Sequence, residues 1–283
     1  MSHLGADAHL AAGYAIFLAS YLVFALGKFP GLKIDRPGAA IIGAVAMVAA
    51  GIVRPSEAVA LVDHGTLVLL FSMMLIVGGL QLAGFFEWNA ELVLRRLRPS
   101  ALLPAVVFTS GILSAFFVND VVCLVMTPFV LGLARRTGRP PLPFLLAVAT
   151  ASNIGSVATI TGNPQNMLIG SFSAIPYRDF LLRLGPVALV GLLLDWAIIR
   201  AVHRRELAAP STAPARLPLP PLDLTRLAKP LGVATAVLLA FFLGVPPAMA
   251  AALGAAVLLI TRDRKSTRLN SSHSLTSRMP SSA

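Results

Sequence analysis

Two polar islands interrupt an otherwise apolar sequence, and they hold the residues that could do chemistry. The first is Ser114 with Asn119 and Asp120. The second covers residues 149–166, ATASNIGSVATITGNPQN, and includes Asn153, Thr161, Gly162, Asn163, Pro164, Gln165 and Asn166. An Asp at the centre of a membrane helix costs about 2.5–3.5 kcal/mol on insertion scales, so a carboxylate there is a functional candidate. Pro164 lacks an N–H and pushes Asn163 out of the α region. With Gly162 beside it, a helix is expected to unwind over residues 161–166. Freed carbonyls coordinate cations, and half-helix N-termini attract anions. The Asn119–Asp120 tip is expected to face this break and supply a second set of groups. The chemistry is ion binding rather than bond making. A competing reading makes the Asn and Gly residues packing devices that let helices approach closely, and Asp120 a structural pair.

Other polar residues carry less. Asp195 lies inside an apolar run, with Trp196 and Arg200 placing it toward one edge, and divides evenly between a structural pair and a functional role. Asp63 and His64 precede a span and read as interfacial. Cys123 reads as packing, and a single cysteine allows no intrachain disulfide. No Cys/His cluster suggests a metal site. Neither a GlyXaaSerXaaGly elbow, a HisGluXaaXaaHis pair nor a paired Asp-rich motif appears, so the expectation is no enzyme and no resident cofactor. An intramembrane enzyme is the alternative of another class.

The elements that position these islands are membrane helices. The 283 residues are 57% hydrophobic and 12% charged, with mean hydropathy +0.81. A soluble domain carries about 25% charged residues, so lipid is the expected solvent. About 20 apolar residues cross the hydrocarbon core. Spans are expected at 8–26, 37–53, 65–83 and 180–202, with a broken helix at 143–172. Residues 100–134 read as a re-entrant helical hairpin with its tip at Asn119–Asp120, because the second arm, 121–134, is short and contains Pro128. Polar backbone at membrane depth is tolerated where it lines a cavity. Residues 84–97 are amphipathic and expected in the interface. No Lys or Arg precedes Lys28, so a signal peptide is not expected.

The net charge of +11 does not indicate nucleic acid, because the basic residues sit in short loops. Fifteen Lys and Arg fall on one side and three (Arg54, Arg178 and Arg183) on the other, if the N-terminus is outside. Residues 208–228, Pro-rich and polar, read as a cytoplasmic linker. After it, PAMAAALGAA at 247–256 echoes RPGAAIIGAV at 36–45, with Gly43 matching Gly254. Five crossings separate the two copies, so the second would enter from the opposite side, as in inverted repeats. The expected division is a first repeat at 1–207 and the start of a second at 229–262, with spans at 230–243 and 247–261. The serine-rich stretch 263–283 reads as a non-native, adapter-like tail, leaving a fragment.

The stretch SAFFVNDVVCLVMTPF, followed by SNIGSVATITGNPQNMLIG, resembles the ion transporter superfamily over about residues 10–261. That superfamily groups citrate transporters, divalent anion:sodium symporters, arsenite efflux permeases and one class of sodium/proton antiporters. The resemblance implies an all-α polytopic elevator-type carrier whose inverted repeats each supply a hairpin and an unwound helix. Asn119 matches the asparagine of the hairpin-tip Ser-Asn-Thr motif of the dicarboxylate branch. Gly162, Asn163 and Pro164 match the unwound helix that helps bind sodium there. This implies a Na+ site at Asn119, Gly162 and Asn163. Val118 and Asp120 replace the motif's serine and threonine, which disfavours a dicarboxylate and shifts the expectation toward the arsenite or antiporter branches.

The expectation is a secondary transporter of a small organic or inorganic anion coupled to a cation. Its candidate site residues are Ser114, Asn119, Asp120, Asn153, Thr161, Gly162, Asn163, Pro164 and Asn166. Na+ and H+ are the candidate coupling ions, and sodium/proton antiport with Asp120 as the titrating group is the alternative. The expected location is a bacterial inner membrane, multi-pass, with a homodimer as a candidate assembly and no nucleic-acid partner.

Overall fold

The computed structural model describes residues 2–27, 34–86, 88–89, 101–208 and 224–261. Contacts divide the chain into two compact units, Met1–Asp63 and His64–Ala283. In the first, α1 (Ser2–Leu26) and α2 (Arg36–Ala49) pack together, and α3 (Pro55–Ala60) follows. Asp35 caps α2 by accepting from Gly38 N at 2.9 Å, and Pro37 occupies the start of the helix, where no N–H is needed. Gly43 lets α2 approach α1, because an added Cβ would collide with the Ser20 side chain.

The second unit holds α4 (His64–Leu82), α5 (Leu102–Phe116), α6 (Asn119–Thr137), α7 (Leu142–Ser156), α8 (Pro164–Ser173), α9 (Tyr177–Val202), α10 (Arg204–Leu207), α11 (Leu224–Phe242) and α12 (Pro247–Ile260). Its core runs through Ile76, Val77 and Leu80 of α4, Val107 of α5, Val122 of α6, Phe144 and Ala151 of α7, and Phe241 of α11. The tightest approach joins α5 to α7. A Cβ on Gly155 would fall inside the backbone of Gly111, so the two helices meet backbone to backbone, as small residues permit.

Large apolar side chains cover the outside: Phe17 and Leu18 on α1, Phe71 on α4, Phe172 on α8, Leu189 and Leu193 on α9. Water would not tolerate so much exposed hydrocarbon, and lipid does. Among the described residues four helices are long and apolar enough to cross a membrane, namely α1, α4, α9 and α11. The protein is an all-α polytopic membrane protein.

Several elements differ from their sequence expectation. The segment expected to span 37–53 is helical only over Arg36–Ala49, because Ala50–Gly51 turns, with Gly51 at φ 70°. The second hairpin arm continues to Thr137 and is 19 residues long rather than ending at 134. Gly138, at φ 64°, then closes it with N–H bonds back toward Ala134 and Arg135, as a left-handed C-terminal residue does. The expected linker 208–228 overlaps α11, which begins at Leu224 and carries Pro230 inside it; residues 209–223 lie outside the described set. The stretch expected at 230–243 is therefore a 19-residue helix. Within the second unit α11 and α12 pack on α4. Gly254 of α12 fits against Val237, Val233 and Ile76. Of the amphipathic piece 84–97, residues 84–86 and 88–89 are described; Phe85 and Phe86 stack edge-on with Phe117 at 6.3 and 5.9 Å, and Phe86 is buried in protein. Most of that piece and the tail 263–283 lie outside the described residues.

Candidate ion-binding site

The helix that would run from α7 into α8 is broken over Val157–Asn163, and the α5–α6 turn meets it. Asn119, the first residue of α6, donates its backbone N–H to Gly162 O at 2.9 Å. The unwinding comes earlier than the expected 161–166. Pro164 sits at the first position of α8, where its missing N–H costs nothing, so Pro164 and Asn166 belong to a helix and not to the break.

Side chains hold the break open. Asn163 is extended (φ −152°, ψ 160°), and its Oδ1 accepts from Asn166 N at 2.8 Å, capping α8. Its Nδ2 donates to Ser156 Oγ at 2.9 Å, and Ser156 Oγ donates on to Asn153 O at 2.8 Å. Asn166 Nδ2 reaches back to three carbonyls, of Ser156 (3.2 Å), Val157 (3.3 Å) and Thr159 (2.9 Å). An amide nitrogen has two hydrogens, so one of these bonds is shared. The chain passes so close to itself that a Cβ on Gly162 would overlap the Ser156 carbonyl.

A second set of bonds ties the break to its neighbours. Ser114 on α5 donates to Ser152 O at 2.6 Å, and Thr159 donates to Ala115 O. Thr161 pairs with the Tyr177 hydroxyl at 2.9 Å and with Thr159 at 3.3 Å. Cys123 on α6 contacts Ser152 Oγ at 2.7 Å. Ser114, Thr161, Asn163 and Asn166 are all buried and all engaged in holding the break.

Asn119 is different. Its Nδ2 donates to Asn153 Oδ1 at 2.9 Å, and Asn153 in turn donates to Ala149 O at 2.9 Å. That chain fixes which end of each amide is oxygen. Asn119 Oδ1 is left buried without a hydrogen-bond partner. A buried carbonyl oxygen with no donor is destabilising unless something positive or a donor comes to it. Asp120, next in the chain, is exposed, as are Asn153 and Gln165.

The N-termini of α6 and α8 therefore meet at Asn119–Gly162, one open carbonyl oxygen lies at the junction, and one carboxylate stands beside it. The structure brings Asn119, Asn153, Gly162, Asn163, Pro164 and Asn166 together. Ser114 and Thr161 attach to the same assembly from α5 and toward α9. Sequence reading missed Ser152, Ser156, Thr159 and Tyr177 as individual contributors. The first three lie in the polar island, but Tyr177 lies outside it with no local signal. A cavity of about 500 Å³ also borders the break at Ile160, Met167 and Tyr177, and its remaining walls include Leu69, Phe241 and Val245. That lining offers little to a charged ligand.

These features define a class: a multi-pass helical membrane protein with a helix–turn–helix tip set against a discontinuous helix. Residues 21–269 match the CitMHS citrate transporter family, and the chain belongs to it. It is 36% identical over 203 residues to the silicon efflux transporter LSI3 of Oryza sativa subsp. japonica, covering 71% of this chain and 42% of that protein. It is 32% identical over 177 residues to the putative transporter arsB of Dictyostelium discoideum, covering 62% and 31%. Over 147 residues it is 32% identical to the inner membrane protein YbiR of Escherichia coli (strain K12), covering 50% and 40%. The chain spans less than half the length of these relatives.

Proposed function

We propose that this chain is the N-terminal, ion-binding half of a secondary active transporter that moves a small anion coupled to a cation. The observation that carries the reading is the junction of tip and break: Asn119 N bonded to Gly162 O, with Asn119 Oδ1 buried and open beside it. An open carbonyl oxygen is a ligand for a hard cation such as Na+, and it suits Asn119, Gly162 and Asn163 as the coupling-ion site. The converging N-termini of α6 and α8 favour an anion nearby. Asp120 stands at the same place and repels a polycarboxylate, which narrows the substrate to a small, weakly charged species such as an inorganic oxyacid. The relatives named for silicon efflux and arsB agree with that class. Sodium/proton antiport or arsenite efflux, with the exposed Asp120 next to the junction, is the second reading.

The repeat architecture has local support. The pairs α1–α2 and α11–α12 each join a long helix to a 14-residue helix, and Gly43 and Gly254 stand at the same register of the shorter member. Both are in close contact with the long helix before them. This favours an inverted second repeat beginning at α11 and a shared site completed from it. The distribution of Lys and Arg favours an inner-membrane placement with the N-terminus outside.

The test is flux into proteoliposomes, comparing this chain alone with this chain fused to the C-terminal half of a relative. Cation-dependent uptake or efflux of an oxyacid by the fused protein supports the reading. Flux indifferent to any imposed cation gradient contradicts it. Turnover of a substrate in detergent would favour an enzyme.

A further inference from the structure

An Asn inside a helix tends to bond neighbouring backbone groups, and Asn153, in the last turn of α7, does so. Its Nδ2 donates to Ala149 O, four residues back, at 2.9 Å. A carbonyl only accepts, so the amide nitrogen takes that position and Asn153 Oδ1 is left to face elsewhere. It accepts Asn119 Nδ2 at 2.9 Å, which carries the chain of bonds across from α7 to α6. The direction set by one backbone carbonyl thus passes through two amides. It leaves an oxygen, not a nitrogen, open at the far end: Asn119 Oδ1, buried and without a hydrogen-bond partner.

The amide pair has little else to do. Asn153 is exposed, so its side chain fills no core. The tip is tied to the break independently, through Asn119 N and Gly162 O at 2.9 Å. One turn further along α6, Cys123 meets Ser152 Oγ at 2.7 Å, a second link to α7. Among the described residues, Asn153 is the side chain that holds the Asn119 amide. The last torsion of an Asn side chain is broad and roughly two-fold, so an amide whose nitrogen has lost its acceptor is free to exchange its ends. Exchanged, it presents N–H groups where the oxygen had been. The N-termini of α6 and α8 at the junction already favour negative charge, and nothing there would then favour a cation.

We propose that Asn153 is a positioning residue that sets the sign of charge the junction accepts. By accepting from Asn119 Nδ2 it keeps the Asn119 oxygen free for the cation, and it is not itself a ligand. The inference rests on the reading of Asn119 Oδ1 as the cation's ligand, and adds the residue that decides its orientation.

The test is the thermal unfolding midpoint of the 283-residue chain in detergent, titrated with sodium chloride against choline chloride at constant ionic strength. An ion that binds the folded protein raises the midpoint. The midpoint without sodium reads structural damage, and the half-saturating sodium concentration reads the site. Asn153→Leu is expected to raise the half-saturating concentration by about fivefold or more. Asn153→Asp keeps an acceptor for Asn119 and adds a negative charge, and is expected at or below the wild-type value. Because Asn153 acts through Asn119, the double variant Asn119→Ala/Asn153→Leu is expected to match Asn119→Ala alone. The proposal is overturned if Asn153→Leu titrates as wild type does, or if Asn153→Asp loses affinity as Asn153→Leu does. A further loss in the double variant also overturns it, since that would make Asn153 a ligand. If Asn153→Leu does not fold, Asn153→Ala takes its place in the same titration. A shift for Asn119→Ala without one for Asn153→Leu ends this inference and leaves the cation reading standing. Wild type and Asn119→Ala responding to sodium alike ends both.

Discussion

Pro164 and Pro128 both lie in runs that would otherwise be helical, yet only one of them stands at a break. Pro128 stays inside α6, which continues for nine residues beyond it to Thr137. Pro128 is exposed, and Thr127, its neighbour, bonds back to Cys123 O at 2.7 Å. Pro164 instead begins a new helix, after seven residues that follow no helical ladder. The difference is not the proline. At Pro128 the one side-chain bond beside it among the described residues, Thr127 to Cys123 O, stays within the same helix, and the helix tolerates one missing backbone bond. At the break, Asn166 takes the carbonyls of Ser156, Val157 and Thr159, and Asn163 caps the next helix. A helix comes apart at membrane depth where side chains replace the bonds it loses.

That comparison can be attacked directly. The largest effect is expected from Gly162→Ala, because a Cβ there meets the Ser156 backbone rather than a flexible side chain. The break must shift or the protein must lose about 3 kcal/mol or more, read as a fall in thermal or denaturant unfolding midpoint in detergent. Asn166→Ala comes next, stranding buried carbonyls, with a loss of about 2–3 kcal/mol expected by the same measurement. Pro164→Ala is expected to have the smallest effect, under about 1 kcal/mol, since the first helical position needs no N–H and the loss is mainly unfolded-chain entropy. If Pro164→Ala proved worse than Asn166→Ala, the proline would be the cause of the break and the comparison would fail.

Much of this was legible from residue types. Asn119 and Asp120 inside an apolar run announced a tip, and Gly162–Pro164 announced an interruption. The start of the interruption was not legible, because α7 ends where a side chain ten residues later, Asn166, reaches Ser156. Periodicity carries no information about such a contact. The length of α6 was underestimated because Arg135 looked like the end of a span, although a basic residue suits the last turn of a helix. Tyr177 could not be found, since its bond to Thr161 joins different elements. Pattern did identify Asp120 as a polar residue in an apolar setting. It could not tell that its neighbour Asn119 is the buried one, with Asp120 turned outward.

The central claim is that the open oxygen of Asn119 is a ligand for the coupling cation. It is tested most directly by titrating sodium against anion flux in proteoliposomes, for the fused protein with Asn119 and with Asn119→Ala. Loss of one charge-assisted contact of about 1.5–3 kcal/mol predicts a rise of roughly tenfold or more in the half-saturating sodium concentration. A sodium dependence unchanged by the substitution, in protein that still inserts and transports, would contradict it.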